Sequence, residues 1–291
     1  MARSVEFGAS VIPSVDDIDG VLAVARRTDE VGFELLGIQD HPYQQRFLDT
    51  WMLMATVLAS TKRIRVFPNV ANLPLRGPAL IAKQAASLDV LSRGRFELGL
   101  GAGFFWDAIA GMGGPRRSPG EAVDALAEAI EIVRLFWSGA PSISFSGRFY
   151  SVQGLHPGPP PAHPPAIWIG AYKPRMLHLT GRVADGWVPS LPYAPPARIP
   201  ELSARVDAGA AEAGRDPSEL RRIYNVSGEI TDGPARELLV GPAEHWVEEL
   251  TRFVTELRFD TFVFWPREGS DAVRQLERFM SEVAPGVREA V

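Results

Sequence analysis

Short apolar runs alternate with amphipathic stretches along the chain. Residues 5–13 read as a first strand. Ser14 then opens a helix, with Asp17 three residues later as a capping box, and Ile18, Val21, Leu22 and Ala25 recur at helical spacing. Residues 33–39 (FELLGIQ) form a second strand that ends at Asp40, and residues 53–60 are helical. Residues 64–73 (IRVFPNVANL) give a third strand and 78–91 its helix; residues 95–103 (RFELGLGAG) give a fourth strand. The helix after it has the clearest signal. Ser118 caps it, Pro119 suits its first turn and Glu121 completes a capping box. Val123, Leu126, Ala127, Ile130 and Trp137 share its apolar face; Asp124, Glu128 and Glu131 share its wet one. Residues 143–152 (ISFSGRFYSV) break the rhythm, because they alternate around a central Ser-Gly and so predict a β-hairpin. A Pro-rich loop follows at 155–165. Alternation then resumes with strands at 166–171, 186–190, 222–230 and 261–265, and helices at 174–183, 199–214, 242–257 and 271–283.

This pattern counts eight strand–helix units. Segments such as AIWIG and TFVFW are apolar on both faces, as buried parallel strands are. The pattern predicts an α/β fold, a (β/α)8 TIM barrel with a β-hairpin insertion after helix 4, formed by a single domain over residues 1–291. An open doubly wound sheet is the rival arrangement.

Composition narrows the chemistry. The 291 residues are 46% hydrophobic and 22% charged, enough apolar content for one large core. There is no cysteine, which removes disulfides, thiolate zinc sites, iron–sulfur clusters and a cysteine nucleophile. A net charge of −5 argues against nucleic-acid binding. No apolar run suits a secretory signal or a membrane span, so a cytoplasmic protein is expected.

In an α/β barrel, reactive groups gather at the carboxyl ends of the strands. That rule selects Asp40-His41; the run from Asn69 through Val70 and Ala71 to Asn72; Gly101 to Gly103 with Phe104, Phe105 and Trp106; Gly170-Ala171-Tyr172-Lys173; Ser190; Ser227 and Glu229; and Trp265. Such a mouth is aromatic and glycine-rich with few charges, and suits a large flat ligand better than a sugar or a metal. His41 reads as a proton donor or as an orienter of a cofactor carbonyl, with Asp40 adjusting its protonation; the plainer reading is a satisfied polar pair opening a loop. His156 and His163 fall in the Pro-rich loop and His178 and His245 in helices, so all four read as structural. The glycines of GLGAG are a poor dinucleotide fingerprint, since Phe104 stands where a third glycine belongs and a loop follows. Gly101 and Gly103 read instead as places where a cofactor approaches the fourth strand. No zinc-protease, serine-hydrolase or phosphate-loop motif is present, and no metal is expected. Glu97, Asp107, Asp185 and Glu229 form no obvious pair, which makes a glycosidase a poor second class. Asp185-Gly186-Trp187 opens the sixth strand at the end away from catalysis and reads as structural.

The segment SRGRFELGLGAG (residues 92–103) resembles the fourth-strand signature of the luciferase-like monooxygenases and coenzyme F420-dependent reductases. PALIAKQAASLDVLS, EAVDALAEAIEIVRLFWSG, GRFYSV, IWIGA and GRVADGW are similar to segments found there in the same order, so the resemblance covers nearly the whole chain. It implies a barrel with a hairpin insertion and a pocket at the strand ends. The chemistry implied is hydride transfer with coenzyme F420 or, alternatively, reduced FMN acting with oxygen; a non-catalytic flavin-binding barrel is a third possibility, of another class. Asp40-His41 resembles the Asp-His pair of many deazaflavin members, which favours F420 over FMN. By the same resemblance Asn69-Val70 is the place of a non-prolyl cis peptide backing the ring. Gly170 to Lys173 and Ser190 match positions near the cofactor phosphate, where a helix amino terminus favours an anion. The family also implies a small-molecule substrate, a separate flavin or F420 reductase as partner, and a homodimer. One departure matters. Where the deazaflavin sugar-phosphate dehydrogenases carry a glutamate after the fourth-strand glycines, this chain has Phe104. With Phe105, Trp106 and Trp265 it points to a hydrophobic or aromatic substrate.

Overall fold

A computed structural model of the chain describes residues 4–291. Strand β1 (Glu6–Val11) leads to helix α1 (Ile18–Val31). Ser14 does not cap α1 as its sequence predicts: its hydroxyl interacts with Asp16, and Asp17 is the cap, accepting from the N–H of Gly20. β2 (Leu35–Ile38) and α2 (Thr50–Ser60) come next, α2 being capped by Asp49. The third strand is interrupted. It consists of β3 (Arg65–Pro68) and β4 (Ala71–Asn72), and the Asn69-Val70 peptide between them is cis. Helix α3 (Pro78–Ser92) and β5 (Leu98–Gly101) follow. Where the sequence predicts only a loop, a short helix α4 (Trp106–Gly111) precedes α5 (Pro119–Trp137), whose Ser118–Glu121 capping box is complete.

The hairpin is β6 (Ile143–Ser146) and β7 (Ser151–Leu155), the second strand running three residues past the predicted Val152. The barrel continues through β8 (Ile167–Ile169), α6 (Pro174–Val183), β9 (Gly186–Trp187), α7 (Ile199–Glu212) and β10 (Arg221–Ile230). A two-residue strand β11 (Val240–Gly241), α8 (Ala243–Thr255) and β12 (Thr261–Pro266) follow. The chain closes with α9 (Ala272–Arg278), a π-helical turn over Phe279–Val283 and α10 (Ala284–Ala290).

Hydrogen-bonded neighbours run β3-β2-β1-β12-β10-β9-β8-β5-β4. Every pairing along this path is parallel. Because β3 and β4 are halves of one strand, the path returns to its start, and a bridge between Val66 and Phe96 joins the lower half to the neighbouring strand. This is an eight-stranded closed barrel; an open doubly wound sheet would leave two free edges. Strand alternation sorts the side chains. Leu35, Phe67, Trp168, Val188, Ile223 and Val263 pack together inside the barrel, while Leu36, Ile167, Ile169, Tyr224, Phe262 and Phe264 join the larger core beneath the helices. At the amino end the inward positions are ionic: Arg65 reaches Glu6 at 2.6 Å and Glu97 at 3.0 Å, and Arg221 also binds Glu6. An ionic amino end, an apolar waist and an open carboxyl end place the candidate chemistry at the last of these.

Candidate active site

Asp40 and His41 leave the carboxyl end of β2 in different directions. The Asp40 carboxylate is fully buried and takes two hydrogen bonds from Arg76, each 3.1 Å, and a third from the N–H of Asn72 at 2.9 Å. Arg76 also reaches Asp49 at 2.6 Å and lies over the ring of Trp51. Asp40 thus ties the end of β2 to the end of β4. Both oxygens of Asp40, expected from the sequence to be catalytic, are engaged by Arg76 and the N–H of Asn72.

His41 is half-buried, with Nδ1 2.6 Å from the hydroxyl of Tyr43. Burial lowers the His41 pKa below the ordinary histidine value, partly offset by the negative charge of Asp40. Burial, with a smaller push from Asp40, raises Tyr43 to about 12. Both groups are therefore uncharged near neutral pH.

The two rings belong to an aromatic rim. Phe105 packs edge-on against His41 and Tyr43 with centroids 5.8 and 5.9 Å away, Phe104 lies 5.1 Å from Phe105, and Tyr193 lies 6.5 Å from Phe104 and 5.4 Å from Tyr172. Phe104 is 70% exposed and Tyr193 57%, so this is an apolar surface open to water. Trp106, expected in the same pocket, turns back instead. Its ring lies where a Cβ on Gly103 would go, and it packs against the core at the start of α4. Gly103 has a φ of +98° and serves this turn.

Below the rim the barrel interior carries a polar layer that the sequence reading missed. Asn225, on β10, is its centre. The Asn225 carbonyl oxygen accepts from the Asn69 side-chain amide at 2.6 Å and from the Trp265 indole at 3.0 Å, and its own amide donates to Ser190 Oγ at 3.2 Å. Trp265 is therefore an inward, hydrogen-bonded residue beneath the rim. The signal for Asn225 was a lone amide at an inward position of an apolar strand, in phase with Ile223. Val70 explains the fourth-strand glycines differently from the sequence reading. A Cβ on Gly101 would meet Val70 Cγ2 at 2.7 Å, and one on Gly99 would meet Val70 Cγ1 at 3.2 Å and the carbonyl oxygen of Pro68 at 2.1 Å. These glycines make room for the interrupted third strand. Gly170 is looser, with Val70 3.5 Å from its Cβ position.

The segment from Gly170 to Lys173 leads into α6, with Lys173 at the cap position and no side chain closing the helix end. The Tyr172 hydroxyl accepts from the N–H of Ser190 at 3.1 Å, which brings the ends of β8 and β9 together. Ala71 is buried in the outer core. Asn72 is buried beside Asp40, and its Oδ1 has no hydrogen-bond partner among the described residues. Tyr43, Arg76, Tyr193 and Asn225 are thus the additions that folding makes to the sequence-derived set.

The remaining histidines serve structure. His163 bonds Asp89 at 2.6 Å, His178 bonds Glu212, His156 the carbonyl of Pro141 and His245 that of Glu237. Asp185 accepts from the N–H of Ile167 at the amino end of the barrel. Among the described residues no group of three or more His, Asp or Glu side chains could hold a metal ion, and no helix is long and apolar enough to cross a membrane.

The chain is similar to known proteins in sequence and fold. An F420-dependent hydroxymycolic acid dehydrogenase from Mycobacterium tuberculosis is 34% identical over 226 residues, covering 75% of this chain and 61% of that protein. The chain therefore spans less than two thirds of that relative's length. An F420-dependent glucose-6-phosphate dehydrogenase from Gordonia bronchialis is 27% identical, over 84% of this chain and 74% of its own. Among solved structures, an F420-dependent secondary alcohol dehydrogenase superposes with a TM-score of 0.86 at 19% identity, covering 98% of this chain and 99% of that one. A long-chain alkane monooxygenase gives 0.83 at 14% identity, over 99% and 92%. At these identities the superpositions speak for the fold alone. The family model for luciferase-like monooxygenases matches residues 3–282, and the chain belongs to that family.

Proposed function

We propose that this protein is an oxidoreductase that uses coenzyme F420 for hydride transfer with a hydrophobic or aromatic small molecule. The observation that carries the reading is His41, an uncharged imidazole standing in an apolar rim at the open end of the barrel. The F420-dependent relatives support the choice of cofactor.

The residues at the mouth fit such a group. Asn72 Oδ1 is a buried acceptor lacking a partner, as a site for the ring N–H of a deazaflavin or flavin requires. The N–H groups of Tyr172 and Lys173 at the start of α6, with the hydroxyl of Ser190, would hold its phosphate, and the interrupted strand at Asn69-Val70 would back its ring. When bound, a reduced deazaflavin supplies a hydride. The chain supplies the rest. Asp40 and Arg76 fix the β2 end, His41 offers a hydrogen bond and a proton drawn from water, and Phe104, Phe105 and Tyr193 keep an apolar substrate at the mouth. A hydride added to the substrate with one proton completes a two-electron reduction.

Titration of the purified protein with reduced F420 and with reduced FMN, followed by absorbance, tests the reading. Binding of reduced F420 and its oxidation by apolar acceptors without oxygen consumption is the expected result. Oxygen uptake with reduced FMN alone would replace it by the monooxygenase reading, and binding of either without turnover by that of a flavin-binding barrel.

A further inference from the structure

The hydrogen bond between His41 and Tyr43 fixes more than a ring position. A neutral imidazole exists as one of two tautomers, and the partner of one nitrogen decides which nitrogen carries the proton. Here Nδ1 lies 2.6 Å from the Tyr43 hydroxyl. We propose that Tyr43 is a positioning residue that donates its phenolic proton to Nδ1 of His41, holding the proton of the ring on Nε2, the nitrogen left for the substrate.

Three observations support this direction. The neighbouring carboxylate, Asp40, is engaged by Arg76 and the N–H of Asn72 and so is not the partner of Nδ1. The rings packed around Tyr43 are His41 and Phe105, so the unprotonated Nδ1 is the good acceptor that its hydroxyl meets. Burial keeps Tyr43 protonated and His41 uncharged across the neutral range, so the phenol keeps a proton to give and the imidazole keeps one nitrogen free to accept it.

The consequence concerns the substrate, and rests on the oxidoreductase reading above. An Nε2–H is a donor. The group it meets is an acceptor, such as a carbonyl oxygen or the alkoxide that forms from it, and not the hydroxyl proton of an alcohol awaiting a base. Tyr43 thereby biases the site toward reduction of a carbonyl compound.

Nitrogen-15 NMR of the histidine-labelled protein without cofactor tests the assignment directly, with His41→Gln identifying the His41 signals. The wild type is expected to show Nδ1 in the unprotonated range and Nε2 in the protonated range. Tyr43→Phe, which keeps the ring and its packing, should shift His41 toward a mixture of tautomers with an unchanged melting temperature. In turnover with reduced F420 and an apolar carbonyl compound, the same variant should lose about tenfold in kcat with little change in KM, about the worth of one neutral hydrogen bond. A protonated Nδ1 in the wild type, or a Tyr43→Phe spectrum identical to the wild type, would overturn the proposal. The spectra need no cofactor, so they decide the role of Tyr43 even if the turnover assay rejects F420.

Discussion

The side chain at position 41 is held by one hydrogen bond and two ring contacts, and contributes little to the core. Removing it should cost rate and spare stability. His41→Ala is expected to lower turnover by about a hundredfold to ten-thousandfold, the usual worth of a positioned acid or base. Its unfolding free energy should stay within about 1 kcal/mol of wild type. Steady-state kinetics and a denaturant melt on this one variant check both halves, and near-normal turnover in a folded variant would end the assignment. Asp40 next to it behaves in the opposite way. Asp40→Ala leaves Arg76 buried with a lost partner, and should destabilise the fold by about 3 kcal/mol or more. The two neighbours look alike in sequence, as polar residues ending a strand. What separates them is a residue 36 positions away, Arg76, which the chain brings back by way of the third strand.

At the scale of elements, α6 and α7 meet through glycine. A Cβ on Gly181 would stand 1.9 Å from the carbonyl oxygen of Val206 and 2.6 Å from the backbone nitrogen of Ala210, while Gly209 faces the carbonyl of His178 at 2.1 Å. Backbone cannot yield as a side chain tip can, so Gly181→Ala must push the helices apart. A loss of about 3 kcal/mol, the upper end for an overpacked contact, is expected in a chemical melt. Because Lys173 stands at the amino-terminal cap of α6, the same variant should also weaken binding at the proposed phosphate site, which a titration with F420 would read. A second element-level link is His163, which pins the Pro-rich loop to Asp89 on α3 and lies 3.7 Å from Glu97 before β5. Glu97, helped by Asp89 and opposed by burial, raises its pKa above the ordinary histidine value. A raised folded-state pKa means that this stabilisation is complete below about pH 6.5, the unfolded value, and is lost as pH rises through the folded one. Melting temperature should therefore fall with rising pH in that window, and His163→Gln should flatten the fall.

For the whole molecule, the two ends of the barrel divide the labour: ions at the amino end, reactive groups at the carboxyl end. Arg65 serves both Glu6 and Glu97, so Arg65→Ala should destabilise by about 3 kcal/mol while leaving turnover per folded molecule unchanged. A lowered kcat in that variant would refute the division. Much of this architecture was legible in the chain. Apolar periodicity marked the eight units, and turn chemistry marked the hairpin and the Ser118 cap, because these depend on residues a few positions apart. The strand-end rule drew Asp40, His41, Phe104, Phe105, Tyr172, Lys173, Ser190 and Trp265 from one end of the barrel; of these, His41, Phe104, Phe105 and Tyr172 share the aromatic rim, while Asp40 is buried and Ser190 and Trp265 lie in the polar layer beneath it. The same local signals could not tell that Trp106 turns back onto the core, that Gly101 makes room for Val70, that Asn225 links Asn69, Ser190 and Trp265, or that Tyr43 rather than Asp40 meets the imidazole. Sequence by itself determined which residues alternate, and so which face of each element is buried. Only closure of the barrel decided which side chains meet, because a hydrogen bond across its interior, such as that between Asn69 and Asn225, joins residues 156 positions apart and depends on the register of every strand between them.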